Sequence, residues 1–327
     1  MPTGLRALLA RFLDESVMSL SVWLGPVTGF VTRACTNYFL LPLRVGLSHS
    51  VSPLTWGVEL SPSMVGVYAF AVLALALSAR KSPYGSAAYL FAGLLLYTGF
   101  TGFPWAPFVA IVSVFAWRSG GLALAGKTAI GLLVIAVSGF WASAMFSMYI
   151  CSAAIIVCVL LGGALGIVAG EVDWFSRLMR PINDFLQTIP PFVILIPVIV
   201  FFRIGDFSSL LAIVAYAIAA MARYTEAGLR SVPRTQIEAG LLAGCTRLQL
   251  VVMVKLPAAS GQILLGVSQT VMYALAMLAV AALIGARGLG QDVYIALGQA
   301  NAGLGILAGA CIALIAMTVD GAIKANA

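Results

Sequence analysis

Residues 128–170 read "TAIGLLVIAVSGFWASAMFSMYICSAAIIVCVLLGGALGIVAG" and contain no Asp, Glu, Lys, Arg or His. A bilayer core takes about 20 residues of helix, so this stretch is long enough for two crossings. Lipid offers no partner to a bare peptide group, which leaves only helices and closed barrels as spanning structures. The unbroken apolar run lacks the alternation of a barrel strand.

Working outward, the same lack of charge recurs over 82–117, 256–286 and 293–319, and shorter apolar runs cover 60–79, 185–202 and 207–222. The sequence therefore predicts an all-α integral membrane protein, a polytopic bundle of about nine transmembrane helices. Composition agrees: 62% of residues are hydrophobic and 9% charged, against about 25% charged in a soluble domain.

The net charge of +7 would suggest nucleic acid in a soluble protein. Here the bases sort by side of the membrane, and no nucleic-acid partner is expected. Arg80, Lys81, Arg118, Lys127, Arg177, Arg180, Arg223, Arg230, Arg234, Arg247, Lys255 and Lys324 fall on alternating connections. Those connections are cytoplasmic by the positive-inside rule. Nine spans then put the N-terminus outside and the C-terminus in the cytosol, a placement that Arg6, Arg11, Arg33 and Arg44 fit badly. An extra span between Ser19 and Leu47 would move them inside, with Arg33 in lipid at a cost of a few kcal/mol.

The chain divides into an N-terminal region (1–60), an extra transmembrane hairpin (61–103) turning at "RKSPYG", and a transmembrane domain (104–327). The first region begins with an amphipathic pattern, Leu5, Leu8, Leu9, Phe12 and Leu20, which reads as an interfacial helix rather than a cleavable signal. His49 reads as a surface residue. Cys35, Cys151, Cys158, Cys245 and Cys311 lack metal-ligand spacing and read as packing residues, so no metal site is expected. Glycines at four-residue spacing, Gly162, Gly166 and Gly170, then Gly305 and Gly309, allow helices to approach closely in lipid.

"GLALAGKT" (121–128) matches a phosphate-loop pattern, and "LIAMTVD" ending at Asp320 imitates its partner strand. A phosphate loop needs a parallel sheet with polar surroundings, whereas these flanks are long and apolar, so Lys127 reads as a cytoplasmic anchor. Ion-coupled carriers place ionisable groups inside the bilayer, and the charge-free windows hold none. With no clustered His, Cys or carboxylate in any span, the chain is not expected to be an enzyme. Energy for any transport must come from elsewhere.

Residues 235–257 break the apolar pattern. "IEAGLLAGCTRLQLVVMVKLP" (237–257) carries three charges, Glu238, Arg247 and Lys255. Thr235 with Glu238, and Thr246 with Gln249, each fit a capping box and predict two short helices. Gly244 sits where the first must end, and Pro257 is expected to open the next span at a position where a missing N–H costs nothing. The expected object is a rigid cytoplasmic elbow joined stiffly to a span.

Glu238, Ala239 and Gly240, then Gly244, Val254, Leu256 and Pro257, resemble the EAA motif of permease subunits in bacterial ABC importers. That pattern is EAA, three residues, G, nine residues, I, one residue, LP, and this chain departs from it at Gly240 and Val254. "RPINDFLQTIPPFVILIPVIVFFRIG" (180–205) and "GVSQTVMYALAMLAVAALIGARGLGQ" (266–291) are similar to segments of permeases for glycine betaine, proline betaine, choline and related quaternary amines. Arg287 stands where that family has glycine, and the similarity runs from roughly Pro104 to Asp320.

The resemblance implies a type I importer bundle and an inner-membrane subunit of an ATP-driven, binding-protein-dependent importer. Its elbow would dock in a groove of a separate ATPase that holds the ATP and Mg, with no cofactor on this chain. It further implies a permease homodimer, two ATPase subunits and an extracytoplasmic binding protein that selects the substrate. Glu238 would anchor the elbow's first turn, where the helix dipole favours its charge. Gln187, Thr188, Pro190, Pro191 and Gln269 are candidates to line the pathway, although helix-start chemistry also explains the prolines. Gly288, Gly290 and Gln291 are candidates for binding-protein docking, although a glycine-rich turn is a simpler reading; Trp141, Tyr149 and Tyr273 read as interfacial aromatics. A channel or secondary transporter without an ATPase is the alternative.

Overall fold

The computed structural model describes residues 2–41, Gly66, 69–72 and 105–325. The expected hairpin over 61–103 falls outside the described residues apart from Gly66 and 69–72, which are helical. Every regular element among the described residues is helical. Five helices are long and apolar enough to cross a membrane, Phe108–Val137, Trp141–Glu171, Asp206–Arg230, Ser260–Ile284 and Ala302–Lys324. A sixth crossing arises if the bent pair Asp173–Thr188 and Pro191–Phe202 is one span. By length and composition alone the described residues thus supply five or six of the expected nine, with Phe108–Val137 counted once although it bends back on itself.

In chain order, α1 is Pro2–Cys35 and α2 is Trp105–Val137. Helix α3 is Trp141–Glu171, α4 Asp173–Thr188, α5 Pro191–Phe202 and α6 Asp206–Arg230. The elbow follows as α7, Arg234–Leu242, and α8, residues 247–258. Then come α9, Ser260–Ala281, α10, Leu289–Gly298, and α11, Ala302–Lys324.

Helix α2 is broken at Gly120 and Gly121, the second with φ of 76°. A straight helix would hold Phe108 about 44 Å from residue 137, yet the Phe108 and Trp141 rings meet edge to face at 5.7 Å. The chain therefore folds back at the two glycines. The reversal sits beside the C-terminal end of α11, since a Cβ on Gly120 would lie 2.9 Å from that of Ala325. This places Arg118 and Lys127 near Lys324, as the positive-inside reading expects.

Helices α3, α6 and α9 form the centre of the bundle, sharing a core that includes Tyr149, Ala154, Ile213, Ala217, Leu275 and Leu278. The glycine ladder is one cause of this packing. A Cβ on Gly162 would sit 3.0 Å from the Ile218 carbonyl, one on Gly166 would sit 2.6 Å from that of Ala222, and one on Gly170 would sit 3.0 Å from Leu229. Hydrogen at these positions lets the α3 and α6 backbones touch. Gly309, by contrast, faces open space.

Helix α4 ends because Ile189 precedes Pro190, and Pro190 precedes Pro191. A residue before proline is pushed out of the helical region, and both are extended, with ψ of 132° and 134°. Pro191 then starts α5, and the two axes differ by 101°. The far end of α5 turns through Arg203, with φ of 61°. There the Gly205 N–H donates to the Ile284 carbonyl at 3.2 Å. This turn is level with the end of α9 remote from the elbow, the outer face. Twelve residues of α5 rise only about 18 Å, less than the thickness of a bilayer core.

Candidate functional site

The elbow begins at Pro233, whose carbonyl accepts from the Gln236 and Ile237 N–H groups at 3.0 and 3.4 Å. Thr235 is thereby the second residue inside α7, and the expected capping box with Glu238 does not form. Glu238 lies in the second turn, exposed, two residues further along than the expected anchoring position. Pro233 takes the N-cap position itself, with ψ of 137°, and so starts the helix two residues before Thr235 could cap it.

The other end of α7 follows the sequence reading. Gly244 has φ of 81°, its N–H donates to the Leu241 carbonyl at 3.0 Å, and the Cys245 N–H donates to that of Gly240 at 3.1 Å. This pair of bonds is a Schellman motif, which needs a left-handed residue at Gly244. Thr246 and Gln249 make the second capping box in both directions, with the Thr246 N–H donating to Gln249 Oε1 at 2.9 Å.

Leu250–Lys255 forms a π turn, which Pro257 follows two residues later. The span itself starts at Ser260, so Pro257 stands three residues ahead of it rather than at its opening. Gly240 explains its departure from the family pattern: a Cβ there would meet Leu250 Cδ1 at 2.8 Å and Val254 Cγ2 at 3.2 Å. Gly240 is buried and Ala239 exposed, while Val254 and Leu256 are half-buried. The two elbow helices are thus folded tightly on each other.

Beneath the elbow, Leu229, Val232 and Ala259 form a small core with Ile167, Ile237, Leu256 and Ile263. One residue cluster therefore ties the elbow to α3, α6 and α9. Lys255 adds an ion pair across it, donating to Glu171 Oε1 at 2.6 Å. Several apolar side chains of the elbow are exposed, Leu242 to 90% and also Leu241, Leu248, Val252 and Met253, among exposed polar groups that include Gln236, Glu238 and Arg247.

A second charge cluster at this face was not legible in the sequence. Glu226, buried at the end of α6, accepts from the Ser176 hydroxyl at 2.5 Å and from Arg230 Nε at 3.1 Å. Arg230 also donates to the Ala169 carbonyl at 2.9 Å and Asp173 at 3.0 Å, and Arg180 approaches Glu226 at 3.6 Å. The only local signal was the i, i+4 spacing of Glu226 and Arg230. The cluster pins α4 against α3 and α6.

Of the candidate pathway residues, Gln187 is half-buried and accepts from Arg223 Nη1 at 2.7 Å, while Arg223 also pairs with Asp184. Thr188 and Pro190 are exposed, Pro191 is half-buried, and all lie at the α4–α5 bend. Gln269 is half-buried on α9. Tyr273 sits midway along α9, edge to face with Tyr216 of α6 at 5.6 Å, and Tyr149 is in the core. Neither occupies the interfacial position expected of it.

The glycine-rich turn packs inward. The Leu289 N–H donates to Ser147 Oγ at 2.8 Å, a Cβ on Gly288 would lie 2.6 Å from the Ser143 carbonyl, and one on Gly290 would lie 2.4 Å from that of Leu278. Gly288 and Gly290 are buried, and Arg287 and Gln291 are the exposed members of the turn. Among the described residues no group of His, Cys, Asp and Glu could hold a metal ion.

The described residues thus form a helical membrane bundle with a capped elbow at one end. Residues 162–326 match the family described as "Binding-protein-dependent transport system inner membrane component", and the chain belongs to it. It is a multi-pass protein of the inner membrane and a transport subunit rather than an enzyme. It is 36% identical over 223 residues to the glycine betaine transport system permease protein OpuAB of Bacillus subtilis, covering 67% of this chain and 79% of that protein. With the glycine betaine/proline betaine permease ProW of Escherichia coli it shares 32% over 219 residues, covering 67% and 62%. With the trimethylamine N-oxide permease TmoV of Pelagibacter ubique it shares 35% over 219 residues, covering 67% and 30%. The chain therefore spans less than two thirds of the last two. Among solved structures, an inward-facing MetNI methionine ABC transporter aligns with a TM-score of 0.46 at 23% identity, covering 52% of this chain and 88% of that one.

Proposed function

We propose that this chain is the permease subunit of an ATP-driven, binding-protein-dependent importer for a quaternary ammonium or betaine-type solute, such as glycine betaine, proline betaine, choline or carnitine. The observation that carries the reading is the elbow: it exposes Leu241, Leu242, Leu248 and Met253, and a small core fixes it to α3, α6 and α9. Exposed apolar side chains on a rigid mount are what a docking partner requires. The relatives named for betaine transport support the substrate class.

In this mechanism two copies of the permease form a homodimer with two ATPase subunits, which carry ATP and Mg. An extracytoplasmic binding protein delivers the solute. ATP closure draws the two elbows together, and the contacts of Lys255, Leu256 and Ile237 pass the motion to the spans. The bundle then changes the side to which it is open. Gln187, Thr188, Pro190, Pro191 and Gln269 line the route, and Tyr216 with Tyr273 offers ring faces to a permanent cation. Gln291 and Arg287 face the binding protein.

The test is uptake of labelled glycine betaine into proteoliposomes holding the permease, ATPase and binding protein. The reading expects uptake to need ATP and to fall in Glu238→Ala without loss of insertion. Uptake that persists without ATP and follows an ion gradient would instead identify a channel or secondary carrier.

A further inference from the structure

Between α1 and α5 lies a cavity of about 670 Å³ lined by Ser21, Gly25, Thr28, Gly29, Thr32 and Arg33 on one side and Val200–Arg203 on the other. Arg33 and Arg203 therefore border one space, and among the described residues no carboxylate lines it. Among the described residues neither arginine has an ion pair; Arg33 Nε donates only to the Gly29 carbonyl one turn back, at 3.1 Å. Arg203 is at the outer turn, beside the Gly205–Ile284 hydrogen bond and remote from the elbow. Arginine at the outer end of a membrane bundle runs against the charge bias of the rest of the chain.

The mouth of the cavity carries exposed apolar side chains: Val22 of the α1 lining, with Ile196 and Ile204 close in sequence to the lining residues Val200–Arg203. Such a mouth faces acyl chains rather than a water-soluble partner. Paired, fork-shaped donors recognise a phosphate diester, and basic pockets between membrane helices hold anionic head groups. From this combination we propose that the α1–α5 cavity binds the head group of an anionic phospholipid of the outer leaflet, its phosphate held by Arg33 and Arg203. The lipid fills the gap between the N-terminal helix and the transport bundle and fixes α1 in place.

This inference is independent of the solute and of the elbow. The test uses the full chain in nanodiscs containing phosphatidylcholine with or without phosphatidylglycerol, followed by native mass spectrometry of retained lipid. Wild type is expected to retain phosphatidylglycerol in preference to phosphatidylcholine. Arg33→Gln and Arg203→Gln each lower retention about fivefold, in line with the attraction of one arginine to an anionic surface, and the pair lowers it further. Arg33→Lys retains most of it.

A second variant keeps the charges and removes the space. A Cβ at Gly25 or Gly29 meets nothing within 4 Å, so Gly29→Leu fits without a clash, fills the cavity and expels the lipid. Equal retention by the double Gln variant, equal retention of phosphatidylcholine, or retention unchanged by Gly29→Leu each overturns the proposal. So does displacement of the lipid by millimolar inorganic phosphate, which would assign the site to a free anion.

Discussion

Replacing Gly244 tests the elbow through its backbone alone. Its φ is 81°, yet a Cβ built there meets nothing within 4 Å. Any cost of substitution is therefore conformational: a left-handed residue with a side chain costs roughly 1–2 kcal/mol, a factor of about 5–30 in the population of the capped elbow. Asn tolerates the region best, Ala less, and a β-branched residue least. ATP-driven uptake per inserted molecule should thus fall in the order Gly, Asn, Ala, Val, while the melting temperature of the bundle changes little. The two elbow helices, α7 and α8, would lose their mutual register, but the α3, α6 and α9 core would not. If Asn were as damaging as Val, or if all variants transported like wild type, the left-handed cap would not be what makes the elbow rigid.

Other substitutions probe the joints. Glu171→Lys or Lys255→Glu alone should reduce coupled uptake, and the double swap should restore much of it, as read by ATP-dependent transport in proteoliposomes. Glu226→Ala strands the Arg230 and Ser176 donors near a buried position and should destabilise the bundle by about 2–3 kcal/mol in thermal or denaturant unfolding, whereas Glu226→Gln should cost less. Gly166→Leu drives a side chain into the Ala222 carbonyl, so it should prevent α3–α6 packing and leave little folded protein by size-exclusion chromatography.

Features set by neighbours in sequence were legible; those set by neighbours in space were not. The Gly244 cap and the Thr246–Gln249 box each involve residues within a few positions, and both form as expected. The Thr235–Glu238 box was equally local, but Pro233 took the helix start and moved Thr235 inside. Glycine spacing announced a close approach of α3, yet only the fold shows that α6 is the partner. Glu226 with Ser176 and Lys255 with Glu171 join residues 50 and 84 positions apart. No pattern along the chain connects them. The turn at Gly288 and Gly290 looked available for docking because glycine marks both exposed turns and tight packing, and here it serves packing.

The central claim is that residues 235–257 face the cell interior and carry the ATPase. In a Cys245→Ser background, Leu242→Cys introduces a thiol at a position 90% exposed. A membrane-impermeant maleimide should label it in inside-out vesicles, leave it unlabelled in right-side-out vesicles, and be blocked once the ATPase subunit is added. Labelling from the outer side, or no labelling from either side, would contradict the account.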